Sequence, residues 1–530
     1  MKEMAADLVV VGGGLGGCAA AWAALRRGLR VVLTEEGPWI GGQMTSQAVP
    51  PDEHPWIEQF GCTRSYRRLR QEIRRYYRRF YPLTAAARAH PALNPGNGFV
   101  SRLCHEPRVS LAVLQAILAP YQAGGRLALL TGYRAVACEM EGDRCRAVLL
   151  QDVEGEARMA VQAPYFVDAT ETGELLPLAG VEYVTGAEAR AETGEPHAAD
   201  QAQPLNMQAV SWCFVVDYRP GEDHTIERPA TYEFWRNYVP PMRPPWPGPF
   251  LSWAATHPVT LETVVRHFDP LHPDPARGPM DLWTFRRIAD RTNFEPGAYE
   301  SDVVLVNWPQ IDYTLGPLYE VPAEEAARHR QGARQMSLSL LYWMQTEAPR
   351  PDGGTGWPGL RPRGDLTGSR DGLALAPYIR ESRRIRGVFT VLEQHVASAL
   401  RPQGQAEEFL DSVGVGAYRI DLHPSTGGDN YIDVGAWPFQ IPLGALLPVR
   451  VENVLPGAKN LATTHITNGC YRLHPVEWNV GEAAGLLVAY CLGTGARPRQ
   501  VREDPRHLED FQRLLDDEGV ERHWPRLEAL

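Results

Sequence analysis

Four consecutive apolar residues, Leu8–Val11, have the pattern of a strand buried on both faces. A glycine turn follows, then small and apolar residues at helical spacing over Leu15–Arg27, then a second apolar run, Arg30–Thr34. Strand, helix, strand in that order predicts the opening of a parallel, doubly wound sheet. Between Arg64 and Phe80, residues Tyr66, Leu69, Ile73, Tyr77 and Phe80 again recur at helical spacing, with arginines on the other faces. Those arginines are either a solvated face or a site for an acidic ligand. A further helix is expected at Ser110–Leu118. Alternation around Leu127–Cys138 and Arg144–Val153 suggests antiparallel strands, and Tyr165–Val167 reads as another strand.

From about Ala187 to Leu410 the chain is rich in tryptophan, tyrosine and proline, with a breaker run at Pro240–Pro249. Apolar order returns at Tyr431–Leu443, Val454–Thr464 and Asn479–Leu492. The expected fold is α/β: a Rossmann-like nucleotide domain in discontinuous segments plus an α+β substrate or cap domain. We place the first nucleotide segment at 1–186, the cap at 187–430, the closing segment at 431–495 and a helical tail at 496–530. Trp235, Trp246, Trp253, Trp283, Trp308 and Trp343 either wall a substrate cavity or fill ordinary core.

Composition narrows the partners. A formal net charge of −11 disfavours nucleic acid, which needs a concentrated positive surface. Of the 53 basic residues only Lys2 and Lys459 are lysine, so Schiff-base chemistry has almost no candidate. The eight cysteines never form C-x-x-C, which argues against an iron–sulfur or structural zinc site, and no metal is expected. Met1–Ala6 runs directly into the first strand without signal-peptide regions, and no stretch approaches the roughly 20 apolar residues of a bilayer span. The expectation is a cytoplasmic protein without membrane insertion.

Gly12-Gly13-Gly14-Leu15-Gly16-Gly17 satisfies G-x-G-x-x-G between a strand and a helix, where backbone N–H groups can approach a pyrophosphate. Glu35 ends the second strand 18 residues after Gly17, where a carboxylate can accept both ribose hydroxyls. Gly41-Gly42-Gln43 soon brings backbone close to the dinucleotide again. No second glycine fingerprint of comparable quality appears, so a tightly bound NAD(P)H is not expected, and the C-x₄-C pair of disulfide reductases is absent after Gly42.

Val9–Gly17, Val31–Glu35, Gly41–Gln43, Phe166–Thr170 and Asn460–Gly485 together resemble the FAD-dependent oxidoreductases, closest to the glycine-rich flavoproteins related to fumarate-reductase-like enzymes. Two positions depart from common patterns: Ala169-Thr170-Glu171 stands where many relatives read Ala-Thr-Gly, and Ala462-Thr463-Thr464 where many read Ala-Gly-Asp or Ala-Gly-Glu. The resemblance implies FAD as cofactor, contacted by Gly12, Gly14, Leu15, Gly16, Gly17, Glu35, Glu36, Gly41, Gly42, Gln43, Val136, Ala169 and Thr170. It also implies a helix beginning near Val480 and Gly481 under the flavin pyrimidine, its dipole stabilising the reduced anion.

Thr464–Pro475 packs polar and cationic residues just before that helix. Flavin dehydrogenation needs a base while hydride leaves for N5, and a histidine suits the task. His474 is the first choice and His465 the second; a hydrogen-bonded structural histidine is the competing reading. Arg472 can hold a substrate carboxylate or the flavin O2. In an extended segment Arg472 and His474 would share a face. Arg380–Arg386 is either a carboxylate site or a salt-bridge network. The leading expectation is an FAD enzyme oxidising a small organic substrate, an anionic one included, with electrons passed to oxygen or an external acceptor. A flavin-dependent monooxygenase is the first alternative, and a flavin-carrying electron-transfer or assembly protein the second.

Overall fold

The apolar runs become a five-stranded parallel sheet in the computed structural model of the chain, which describes residues 2 to 530. Leu8–Val11 lies in the centre, fully buried, with Val9 opposite Val32 on one side and Phe166 on the other. Val31–Glu35 and Tyr165–Asp168 are these neighbours; Leu127–Thr131 and Val454–Pro456 form the two edges. Uninterrupted valine and leucine suit strands covered on both faces. The sheet therefore draws its last strand from a segment far along the chain.

Helix Leu15–Arg26 packs against helix His474–Thr494 through small residues. A Cβ at Gly481 would lie 1.9 Å from the Gly16 carbonyl oxygen, and one at Gly485 would lie 2.3 Å from that of Ala20. Backbone-to-backbone approach of this kind brings the final helix onto the glycine turn.

The region around Leu127–Cys138 differs from the sequence reading. Leu127–Thr131 pairs parallel with Val31–Glu35, Gly132 turns at φ 78°, and Tyr133–Glu141 then pairs antiparallel with Arg144–Asp152. Alternation alone does not reveal which partner a strand will find. Arg158–Gln162 and Lys2–Ala5 complete this second sheet.

The tryptophan-rich region holds an antiparallel sheet ordered Arg287–Ala289, Val303–Val306, Phe214–Tyr218, Leu360–Pro362, and the long helix Ala323–Thr346. All six singled-out tryptophans are buried. Trp253 stacks on Phe268 at 5.0 Å and meets Trp343 at 4.8 Å, while Phe268 touches Trp283 and Trp308, so most of these rings are core. On helix Arg64–Phe80 the arginine face is only partly solvated: Arg70 and Arg74 are buried and bound to Glu53 and Glu58. The C-terminal segment folds back, with Trp524 against His54 and Phe60 and its Nε1 donating to the Phe439 carbonyl (2.8 Å). Among the described residues no helix is long and apolar enough to cross a membrane, and no group of potential ligands is spaced to hold a metal ion.

Candidate functional site

The glycine turn is fixed by what surrounds it. Gly12 has φ 96°, and a Cβ there would sit 2.4 Å from the Ala169 carbonyl oxygen, so only glycine fits. Gly16 and Gly17 are closed by the Gly457 and Gly12 carbonyl oxygens, at 1.8 and 2.0 Å from the Cβ positions. Gly14, the helix cap, meets nothing nearer than a Glu171 carboxylate oxygen at 3.1 Å. First-turn N–H groups from Leu15 onward lack intrahelical acceptors, so an anion in the opening beside Gly14 gains hydrogen bonds and the helix dipole.

Glu35 turns back toward this opening. Its Oε2 accepts from Gly13 N–H and its Oε1 from Gly37 N–H, both at 2.9 Å. Burial pushes its pKa up to about 7. Spare lone pairs remain for ribose hydroxyls. Glu36 beside it is exposed. Val136 is the extra residue of a bulge between Ala135 and Ala137, which frees its backbone from the ladder.

The second glycine loop adds Gly41 and Gly42, both left-handed. Gln43 Nε2 donates to the Arg472 carbonyl (3.1 Å) and to Glu477 Oε2 (2.6 Å). Ala169 N–H donates to the Val11 carbonyl, and Thr170 donates through N–H and hydroxyl to Asp168 Oδ1. Lys459, fully buried, contacts Glu171 Oε2 and lies 3.5 Å from Glu477 Oε2. Burial opposes its charge, yet these two carboxylates hold its pKa above the ordinary value. Burial pushes Glu477 up to about 7.

The segment 464–475 is not extended. Thr464 caps a helix over His465–Tyr471, accepting from Thr467 N–H at 3.1 Å, and the last helix begins at His474 with Pro475 in its first turn. The shared-face argument for Arg472 and His474 therefore fails. Val480 and Gly481 do not begin a helix; they lie well inside it, where Gly481 packs on Gly16.

His474 is spoken for. Asp52 N–H donates to its Nδ1 (3.1 Å) and its Nε2 faces the Val49 carbonyl (3.2 Å), while burial lowers its pKa to about 4. A ring with both nitrogens engaged holds the loop at Val49–Asp52 and has no lone pair to offer a substrate. His465 places Nδ1 3.0 Å from both oxygens of Glu381; burial lowers its pKa, but Glu381 more than restores it. The adjoining cavity, bordered by Glu188, Glu195 and His197, measures about 50 Å³, too small for an organic substrate.

Arg472 is buried, with Nη2 on the Asp421 carbonyl (3.0 Å) and carboxylate (3.2 Å), and Nε unpartnered. Asp421 leads to a pair that the sequence reading left unassigned. His423 Nδ1 is 2.6 Å from Asp312 Oδ2, and its Nε2 is 3.7 Å from Asp421 Oδ2. Asp312 is fully buried and also held by Ser211 Oγ (2.6 Å) and Arg380 Nη2 (3.1 Å). Burial raises the Asp312 pKa, but Arg380 and His423 bring it below the ordinary value. His423 keeps 19% of its side chain exposed. No local pattern joins residues 111 positions apart; for Lys459, rarity was the available signal. In Arg380–Arg386 the network reading describes Arg380, Arg383 and Arg384, which pair with Asp312, Glu320, Glu188 and Glu381, with Arg380 Nε alone left without a partner among the Arg380 nitrogens.

Several buried polar atoms on these segments have no partner: Gln43 Oε1, the Gln47 amide, Glu477 Oε1, Arg472 Nε, Asn468 Oδ1 and Gln208 Nε2. Unmet hydrogen bonding here fits a large polar cofactor and its substrate. Comparison with known proteins agrees. The sequence profile of the FAD dependent oxidoreductase family matches residues 7–515. No curated protein matches the chain. Among solved structures it is similar to a geranylgeranyl bacteriochlorophyll reductase-like protein from Thermoplasma acidophilum, at 10% identity over 98% of this chain and 85% of that one, TM-score 0.33. It is also similar to the L-proline dehydrogenase from P. horikoshii (16% identity, 35% of this chain, TM-score 0.17) and to the glycerol-3-phosphate dehydrogenase from Bacillus halodurans complexed with FAD (13%, 40%, 0.23). The chain spans 24% and 40% of those two. With a profile match over nearly its whole length, and FAD as the cofactor, the chain belongs to the FAD dependent oxidoreductase family.

Proposed function

We propose that the protein oxidises a small anionic organic substrate by hydride transfer, with the FAD diphosphate at the glycine turn. Bound FAD supplies a two-electron acceptor at its N5 atom, later reoxidised by oxygen or an external acceptor. The N–H groups at Gly14 and Leu15 would hold the diphosphate, Glu35 with Glu36 beside it would take the ribose, and Val136 would offer freed backbone. Gly12, Gly16 and Gly17 shape the turn, and Gly41, Gly42, Gln43, Ala169 and Thr170 form the facing wall.

The observation that carries the substrate reading is an excess of unpartnered donors around His423 and Asp312. Arg380 Nε, Arg472 Nε and Gln208 Nε2 are buried donors without partners, and Asn468 Oδ1 is a buried acceptor without one. Each belongs to the same network: Gln208 Oε1 accepts from His423 N–H, and Asn468 Nδ2 donates to the Arg380 carbonyl. Two guanidinium donors suit a carboxylate, and the acceptor suits a hydroxyl or amine. Asp312 would hold His423 with Nδ1 protonated, leaving Nε2 to accept the substrate O–H or N–H proton during the oxidation.

Anaerobic mixing of the yellow holoenzyme with hydroxy and amino acids, beside their amides and simple alcohols and amines, tests this reading. Bleaching of the flavin band by the acids and not by their amides supports it. Bleaching only by an external reductant, followed by oxygen insertion, would instead identify a monooxygenase.

A further inference from the structure

An anion site is expected to be positive, yet the opening beside Gly14 is lined by carboxylates. Glu171 Oε1 lies 3.1 Å from the position of a Cβ at Gly14 and 2.7 Å from that at Gly42, which puts it in the gap between the two glycine loops. It has no hydrogen-bond partner. Glu477 Oε1, on a side chain with no exposed surface, is 3.6 Å from the same Gly14 position and is also unpartnered. The second oxygens of both carboxylates converge on Lys459, and Gln43 Nε2 adds a neutral donor to Glu477.

Other charged groups nearby do not correct the balance. Glu35 adds negative charge on the far side of Gly13, its Oε2 3.2 Å from that Cβ position. Tyr378, near Lys459, is pushed by burial toward its neutral form. Arg383 is taken by Glu320 and by the Thr172 carbonyl. One lysine thus serves two carboxylates before any phosphate arrives.

We infer that the Glu171 carboxylate competes with the FAD diphosphate for the gap between the glycine loops, and that FAD binding is coupled to uptake of one proton by the Glu171–Lys459–Glu477 cluster. The inference rests on the diphosphate placement proposed above. A diphosphate would bring two negative charges to carboxylates that share a single cation, where Glu477 and Lys459 have no exposed surface and Glu171 keeps 24% of its side chain exposed. Like charges at such range cannot all remain ionised. Burial already brings Glu477 to about 7, where a proton is exchangeable near neutrality.

FAD titration of the full-length chain, followed by flavin fluorescence and by calorimetry in buffers of different ionisation enthalpy, tests the coupling. Between about pH 6 and 8.5 the cofactor diphosphate does not itself titrate, so proton uptake that is small near pH 6 and approaches about one above pH 8, with a Kd whose rise approaches about tenfold per pH unit over the same range, is expected. Glu171→Gln removes both effects and binds FAD more tightly than the natural chain at the alkaline end. A pH-independent Kd in the natural chain, or full proton uptake retained by Glu171→Gln, overturns the inference. Gly14→Ala tests the placement separately, because its methyl group is crowded only by the movable end of Glu171 at 3.1 Å and meets the Ala169 carbonyl and Glu477 Oε1 at an ordinary 3.6 Å. Weaker FAD binding at every pH supports a diphosphate there; unchanged affinity overturns the placement whatever the pH slope.

Discussion

Asp312 and His423 are 2.6 Å apart in space, and the pairing gives one histidine a proton-accepting nitrogen that His474 lacks. In His474 the two ring nitrogens are consumed by the loop at Val49–Asp52. The substitutions should therefore separate. His423→Asn is expected to retain FAD and slow anaerobic flavin reduction by roughly 10²–10⁴-fold. His474→Ala leaves a buried amide and a buried carbonyl unpaired, each costing about 1–3 kcal/mol, and should act mainly on the unfolding midpoint. Equal rates for His423→Asn and the natural chain would remove His423 from the chemistry. The polar segment before the last helix was legible in the sequence, because histidine, arginine and asparagine stand out there. Its partners were not: Asp312 and Arg380 lie in the tryptophan-rich stretch, and only the folded chain brings them to Arg472 and His423.

The glycine turn and its crossover helix were readable because strand, turn and helix are consecutive, so local spacing carries the geometry. The last helix is expected from its apolar order at Asn479–Leu492, and family resemblance alone puts its start near Val480 and Gly481; the small residues are instead a packing face within a helix that begins at His474 and Pro475. That role can be measured. A methyl group at Gly481 would enter the Gly16 carbonyl at 1.9 Å, with backbone on both sides unable to yield. Gly481→Ala should cost at least about 1–3 kcal/mol of stability in urea unfolding, the range of core overpacking. Gly493, in the same helix, meets nothing within 4 Å, and Gly493→Ala should stabilise by about 0.5–1 kcal/mol. A Gly481→Ala chain as stable as Gly493→Ala would contradict the close helix crossing.

Across the whole molecule, buried acids set a pH dependence that composition does not foretell. Burial pushes Glu35, Glu195 and Glu477 up to about 7 and Asp168 up to about 6. The folded chain keeps protons that the unfolded chain releases, so these groups make stability fall as pH rises from about 4 through about 7. His54, His105 and His474, lowered by burial to about 4, act oppositely, raising stability up to about pH 6.5. The two sets offset one another at acid pH, and only the acids act beyond it. Urea midpoints of the FAD-free chain should therefore drop between about pH 6.5 and 8. A midpoint that rises over that interval would mean these carboxyls are not buried as described.

The central claim joins the whole-chain family assignment to the network around His423: substrate alone reduces the flavin. Anaerobic titration of the holoenzyme with a hydroxy or amino acid, followed by its visible spectrum, measures this directly. The account predicts complete loss of the flavin band at one equivalent of substrate per FAD, with the corresponding oxo or imino acid as product. A band that persists with every such acid and disappears only when an external reductant is added would contradict it.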